Sequence, residues 1–369
     1  MTNEKVRIHV INVGHGDSIL VEFPDYRDGN QYRPSFGLVD AGGEDASVKN
    51  KTMNYLKNFL TARLGGSYED FEPNAFRFEF LCLTHPHRDH LLGIMPILEA
   101  FGDRIDQFWD CGFRHNTVSY LAILEYLTAH PGIQFMRVTS GTEFHFGDVE
   151  VMVLSPSIDM RNRYETYGVD INSASIVLRI TRGNGVAILA GDAHFDAWGK
   201  VSEEFPRTKR IQYAKNQDII YTRPGESGSS EVPFVSRTNQ LACGLLKVSH
   251  HGSKNGTAYE YLEKLSPNTF MITCDHDSWY KEKKSSWAGK FPHPLTRLSI
   301  GESNGTYNST GVNKGKIPTL KALGDKVLAS SVSGSVIFEL MGNNTIKQVA
   351  EFKEKRGAGV TAEKIASAL

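Results

Sequence analysis

Cysteine is scarce in this chain. Cys82, Cys111, Cys243 and Cys274 are widely spaced with no C-x-x-C pair, which argues against a zinc ribbon and against a disulfide framework. A reduced compartment follows, and the cytoplasm is the expected location. Long apolar runs are missing too: no stretch reaches the roughly 18 residues a membrane helix needs. Met1-Thr2-Asn3-Glu4-Lys5 leads straight into a strand pattern with no apolar signal core, so no membrane segment or leader is expected. Nor is there a surplus of charge. The 41 Lys+Arg and 42 Asp+Glu leave a formal net charge of -1, so any attraction for nucleic acid or another anion must be local. No Pro/Ser linker and no low-complexity tract divides the 369 residues.

What the chain does have is Thr84-His85-Pro86-His87-Arg88-Asp89-His90, an H-x-H-x-D-H run that reads as a metal site. The preceding Phe78-Glu79-Phe80-Leu81-Cys82-Leu83 suits a buried strand, and Pro86 stops the pattern from continuing as a helix. On an extended segment His85 and His87 point to the same side and can share one ion. Asp89 and His90 come where the chain turns, and can face a second ion beside the first. A polar loop with chance histidines is the alternative, and four ligand-type residues within six outweigh it. Asp192 closes the apolar strand Ala187-Ile188-Leu189-Ala190-Gly191, where a carboxylate at a strand tip can bridge two cations. On local sequence alone a turn-forming aspartate reads as well, and only the surrounding ligand set favours metal. His250 and His251 follow the short strand Leu245-Leu246-Lys247-Val248, and one of these imidazoles can complete the second ion's shell. Asp40, ending Phe36-Gly37-Leu38-Val39, is a candidate to accept the second ring N–H of a liganding histidine.

These blocks resemble the metallo-β-lactamase fold superfamily, most closely its ComEC-like branch of DNA-uptake proteins and their free-standing relatives. Ile11-Asn12-Val13-Gly14-His15-Gly16-Asp17-Ser18 is similar to that branch's opening strand and loop, with His15 where glutamine is usual. Leu38-Val39-Asp40-Ala41-Gly42 is similar to its "IDTG" segment, and Lys247-Val248-Ser249-His250-His251-Gly252-Ser253 to its "K-x-x-H-H-G-S" signature. The resemblance spans about residues 6 to 345 and implies an α+β fold, the four-layer αββα metallo-β-lactamase sandwich. It implies two divalent metal ions, zinc or manganese, held by His85, His87, Asp89, His90, Asp192 and His250, with His251 and Ser253 left to the pocket wall.

One departure bears on the metal. Where many relatives place a third histidine, this chain has Gly168-Val169-Asp170-Ile171-Asn172-Ser173. The ComEC-like branch also tends to carry asparagine and serine there. The first ion would then have His85, His87, Asp192, solvent and either Asp170 or Asn172. Such an oxygen-richer shell admits manganese as well as zinc. His145 and His194 are left over, and His194 reads equally as a pocket or a surface residue.

Residues 1–351 read as a single domain, with a long polar insertion at about 200–241 that suits a lid or a protein-partner loop. A closing hairpin at about 332–351 is followed by a detachable tail helix at 352–369. Helices are expected at 47–64, 91–101 and 117–129, and strands at 134–138, 149–154 and 174–180. Between His276 and Arg297, Trp279 and Trp287 are interleaved with Lys283 and Lys284, as on a single-stranded nucleic-acid surface, although packed aromatics behind an exposed lysine loop fit equally. Phe291-Pro292-His293-Pro294 resembles the family's late "H-P" motif. The resemblance makes His293 a catalytic candidate, over the site to protonate a leaving group, with His15 and Asp17 on the same rim.

Hydrolysis through a metal-bridging hydroxide is the expected chemistry, with Asp89 and Asp192 in the catalytic centre. A phosphodiesterase or nuclease on nucleic acid, DNA before RNA, comes first. A hydrolase of a small ester, thioester or lactam shares every ligand. A metal-bound scaffold or sensor subunit of a larger, defence-type assembly is the reading from another class.

Overall fold

A computed structural model of the chain describes residues 3–28, 31–43, 50–72, 74–161, 170–205, 209–212, 234–237, 241–274, 292–307, 316–341, 346–353 and 359–369. Two mixed sheets carry the architecture. The eight-stranded sheet runs, edge to edge, through Ile346–Phe352, Ser335–Leu340, Arg7–Val10, Ser18–Glu22, Ser35–Ala41, Arg77–Leu83, Gln107–Asp110 and Gln134–Arg137. Its first pairings are antiparallel, and those from Ser35–Ala41 onward are parallel. The seven-stranded sheet runs through Val327–Ala329, Thr269–Ile272, Leu245–Lys247, Gly185–Leu189, Val177–Arg182, Val149–Ser155 and Glu143–Phe146. It repeats the division: parallel as far as Gly185–Leu189, antiparallel beyond.

Alternation along the strands builds the layers. Ile8, Val10, Ile19, Val21, Phe80 and Cys82 face inward and join Val151, Val153, Leu178, Ile180 and Ile188 of the second sheet in one buried cluster. Leu20, Leu38, Leu81 and Leu83 point the other way, against Met53, Leu56, Phe59 and Leu60 of the helix Lys51–Leu64 and Ile97 and Leu98 of Ile94–Phe101. Each such side chain, fully buried, contributes about 1.5–3 kcal/mol of transfer free energy. Trp198, Val201, Leu262, Leu265 and Ile300, from the helices Phe195–Glu204, Tyr259–Leu265 and Pro294–Ser303, join the inter-sheet cluster. The result is an α+β, four-layer αββα sandwich. All four cysteines are buried, and none forms a disulfide among the described residues.

Outward-facing Arg7 and His9 would be stranded against the outer helices without partners. Arg7 Nη1 lies 2.9 Å from Glu22 Oε2, and Arg63 Nε lies 2.9 Å from Glu22 Oε1. Burial alone would raise the Glu22 carboxyl, but His9, Arg7 and Arg63 hold it down to about 2 from an ordinary 4.5. The stabilisation from this group is therefore complete above its ordinary value and is lost as pH falls toward 2.

The C-terminal residues differ from the sequence reading of a detachable tail. Ile365 of the helix Ala362–Ala366 is fully buried, Val360 nearly so, and both belong to the cluster under the helix Lys51–Leu64. Asn58 Nδ2 donates to the Val360 carbonyl at 2.9 Å and Arg7 Nη2 to the Leu369 carbonyl at 3.1 Å. So short a helix conceals how much apolar surface it covers. Ile365→Ala is expected to cost about 2–5 kcal/mol. An unchanged urea midpoint would show that the tail does not contribute.

The insertion also begins later than 200, because residues 200–204 complete a helix whose Ala197, Trp198 and Val201 pack on the core. Lys209–Gln212 and Phe234–Arg237 pair antiparallel in a two-stranded sheet of their own. The rest of the insertion, 206–208, 213–233 and 238–240, lies outside the described residues.

Candidate metal centre

The parallel halves of the two sheets deliver their C-terminal strand ends to one edge, the usual place for a site in such sheets. Strand Arg77–Leu83 ends before Thr84 and His85, Gly185–Leu189 before Gly191 and Asp192, Leu245–Lys247 before His250 and His251, and Thr269–Ile272 before Thr273. Ser18–Glu22 runs antiparallel to Ser35–Ala41 with Ser18 opposite Ala41, so Asp17 reaches the same edge from its N-terminal end. Gly42 is there for close approach: a Cβ on it would stand 1.5 Å from the Asp89 carbonyl oxygen. That oxygen instead accepts from Asp17 N at 3.2 Å and Gly43 N at 3.1 Å, which fastens the ligand loop to both glycine-containing turns. Asp40, His250 and His251, with φ of 57, 47 and 52°, adopt left-handed backbone that is costly for non-glycine residues.

One carboxylate oxygen is the hub. Asp192 Oδ2 lies 3.9 Å from His85 Nε2, 3.3 Å from His90 Nε2, 3.6 Å from His250 Nε2 and 3.6 Å from His251 Nε2. Asp89 Oδ2 is 3.2 Å from His251 Nε2 and 3.8 Å from His90 Nε2. Asp89, His90, Asp192 and His251 thus form a cluster of metal-ligating atoms. The His87 ring sits 4.6 Å from the His85 ring, on the side toward His115. His85 Nε2, His90 Nε2 and Asp192 Oδ1 are buried without hydrogen-bond partners among the described residues. Buried polar atoms are rarely left so, and a cation is the partner that imidazole nitrogens and carboxylates share. The donor set fits a divalent metal.

Electrostatics sort the groups. Burial, then neighbouring His90, holds His85 well below the ordinary imidazole range, and burial also lowers His87. Burial lowers His250 to about 4. Burial would lower His90 and His251 too, but Asp192 and the other carboxylates raise both. Asp89 and Asp192 are held low against their own burial, Asp89 chiefly by His90 and Asp192 chiefly by His251. Asp40 is buried behind the site, where His90 Nδ1 donates to its Oδ2 at 2.7 Å and Thr84 N to its Oδ1 at 2.8 Å.

Other residues fall elsewhere than the sequence reading put them. His251 rather than His250 joins the Asp89–His90–Asp192 cluster, while His250 Nδ1 lies 2.6 Å from His194 Nε2. Both turn residues have left-handed backbone, so strand alternation does not order them. Asp17 is not on the rim: it is 1% exposed and paired with the fully buried Lys247. His15 does lie beside the cluster, its ring 4.3 Å from that of His251. His293 caps the helix Pro294–Ser303, its Nδ1 accepting from Leu295 N at 3.1 Å, and burial, Lys254 and Arg297 lower its pKa. Asn172 is nearly buried on a turn capped by Asp170, whose carboxylate lies 3.6 Å from His194. Ser253 shapes the histidine turn, its N–H donating to the His250 carbonyl at 2.7 Å. Trp279, Lys283, Lys284 and Trp287 lie outside the described residues. His194, which reads from the sequence equally as pocket or surface, lies beside His250; Thr84, Ser175 and Thr273 were missed as site residues, since lone hydroxyls carry no local signal.

No family model matches the sequence. ComE operon protein 3 of Bacillus subtilis (strain 168) is 23% identical over 316 residues, 81% of this chain and 32% of that protein. The chain thus spans about a third of the length of this curated relative. Among solved structures, the metallo-β-lactamase fold protein YhfI from Bacillus subtilis matches 73% of this chain and 86% of its own, with 13% identity and a TM-score of 0.39. Igni18, a metallo hydrolase from Ignicoccus hospitalis, matches 73% of this chain and 82% of its own, with 14% identity and a TM-score of 0.35. A long form RNase Z from yeast matches 74% of this chain and 38% of its own, with 12% identity and a TM-score of 0.36.

Proposed function

We propose that this chain, a metallo-β-lactamase-fold protein of the ComEC-like kind, is a metal-dependent hydrolase that cleaves phosphodiesters in nucleic acid. The observation that carries the hydrolase reading is the single oxygen, Asp192 Oδ2, facing four imidazole Nε2 atoms, with Asp89 beside them. His85 and His87 would hold one divalent ion with Asp192, and Asp89, His90 and His251 a second with the same carboxylate. Zinc or manganese suits this mixture of imidazole and carboxylate. Bound there, such ions supply Lewis-acid stabilisation of developing charge and activate water for attack. The protein's part is to hold the imidazole Nε2 atoms inward, to keep two carboxylates ionised in a buried site, and to fix the loop through the Asp89 carbonyl.

The substrate class is supported by the ComEC-like resemblance of the histidine-turn signature and by the interleaved aromatics and lysines between His276 and Arg297 in the sequence. No helix among the described residues is long and apolar enough to cross a membrane. The test is to incubate metal-stripped protein with single-stranded DNA, duplex DNA, RNA and an aryl phosphodiester, each with zinc, manganese or magnesium. Metal-dependent cleavage of nucleic acid is expected, DNA before RNA. Turnover of small esters alone would move the substrate class, and no turnover with any metal would overturn the enzyme.

A further inference from the structure

Beneath His251 lies a closed group of three fully buried or nearly buried side chains, Thr273, Asp17 and Lys247, contributed by different strand ends. Thr273 Oγ1 donates to Asp17 Oδ1 at 2.6 Å and lies 3.1 Å from His251 Nδ1. Lys247 pairs with Asp17 Oδ2, donates to the Gly191 carbonyl at 3.0 Å and stands 3.9 Å from Asp192 Oδ1.

Proton counting makes this group directional. An ammonium has only donors, so Asp17 accepts from Lys247 on one oxygen and from Thr273 on the other. The threonine hydroxyl has one proton, and Asp17 takes it. What faces His251 is then an oxygen lone pair, and the 3.1 Å contact is a hydrogen bond only with the proton on Nδ1. That leaves Nε2, 3.2 Å from Asp89 Oδ2 and 3.6 Å from Asp192 Oδ2, as the ring nitrogen a cation can take. The same device recurs in the other sheet. Thr84 Oγ1 donates to Asp40 Oδ2 at 2.7 Å and lies 3.2 Å from His85 Nδ1. In each sheet a threonine immediately after a parallel strand stands between a buried carboxylate and a site histidine.

We propose that Thr273 is a positioning residue: its hydroxyl, polarised by the Asp17–Lys247 pair, locks His251 in the Nδ1–H tautomer and so makes its Nε2 a cation ligand. The proposal rests on the hydrolase reading of the site and adds to it which of the adjacent histidines ligates and what fixes it. Lys247 has a second effect, as a built-in cation behind Asp192 that leaves Oδ2 as the oxygen turned to the histidines.

The test uses the full chain, stripped of metal and titrated with zinc against a chromophoric chelator. Thr273→Val keeps the shape and removes the hydroxyl, and zinc affinity for one of the two equivalents, the ion that Asp89, His90 and His251 would hold, is expected to fall by roughly 10- to 100-fold, the usual loss when an orienting partner of a ligand is removed. Thr273→Ser restores the hydroxyl and is expected to restore affinity. Wild-type affinity in a folded Thr273→Val protein, or a Ser variant as weak as the Val variant, overturns the proposal. Should Thr273→Val fail to fold, long-range proton–nitrogen NMR of the zinc-loaded wild type decides, with His251 assigned through His251→Gln. A proton on Nδ1 is expected, and a proton on Nε2 overturns the proposal. Absence of zinc uptake by the wild type would instead remove the metal site itself.

Discussion

Replacing His85 and His87 together with alanine is expected to remove about one equivalent of bound metal and to take metal-dependent hydrolysis to background, since two donors leave one ion's shell. His85 is fully buried and its Nε2 has no hydrogen-bond partner among the described residues. In the metal-free protein that atom is a liability of about 1–3 kcal/mol, and truncation relieves it while opening a cavity of comparable cost. Stability without metal should therefore change little, and the stabilisation that added zinc gives the wild type should shrink in the variant. Metal per chain by mass spectrometry and melting with and without zinc read the two effects separately. His145→Ala is the control, because His145 is exposed and pairs with Glu143 at 2.9 Å. Wild-type metal content in the double variant would sink the site.

Much of this centre was legible because strand ends carry it. A short apolar run followed by ligand-type residues fixes where a side chain emerges, and Phe78–Leu83 before His85, like Ala187–Ala190 before Asp192, needed no knowledge of the fold. Asp40 was legible for the same reason. His250 and His251 were not separable, since both follow the same strand and both turn through left-handed backbone. Asp17 read as a rim residue because a glycine-flanked acid looks exposed. The Ser18–Ala41 pairing instead folds it under the site, where Lys247 meets it. Thr273 is 22 residues from His251, and only the parallel pairing of Leu245–Lys247 with Thr269–Ile272 brings them together. At His293 the proline that follows starts a helix, and the ring caps it through Nδ1, a contact no motif announces. In the tail, Val360 and Ile365 are too few to announce a docked face until the helix they cover is in place.

Asp192→Asn is the sharper test of the hub, because it conserves volume and removes only the charge. The carboxylate has two faces with opposite needs. Oδ2 looks toward four imidazole Nε2 atoms, and Oδ1 looks toward the Lys247 ammonium at 3.9 Å. A carboxylate accepts on both sides, whereas an amide has one accepting and one donating end. Turned one way, the amide NH2 faces Lys247, donor against donor. Turned the other, it faces the Nε2 atoms and occupies the place of the oxygen that both cations would share. Neither orientation restores a negative charge between them. Breaking a buried charge arrangement by removing one partner costs about 3–5 kcal/mol, which is roughly 10²- to 10⁴-fold in turnover if it is realised at the reacting centre. The backbone should hold, because Asp192 N still donates to Ser175 Oγ at 3.1 Å and the strand behind it is fully buried. Circular dichroism and a cooperative melt are expected to be retained while kcat/KM collapses and zinc binds more weakly. A folded Asp192→Asn protein that turns over substrate at the wild-type rate would refute the bridging carboxylate.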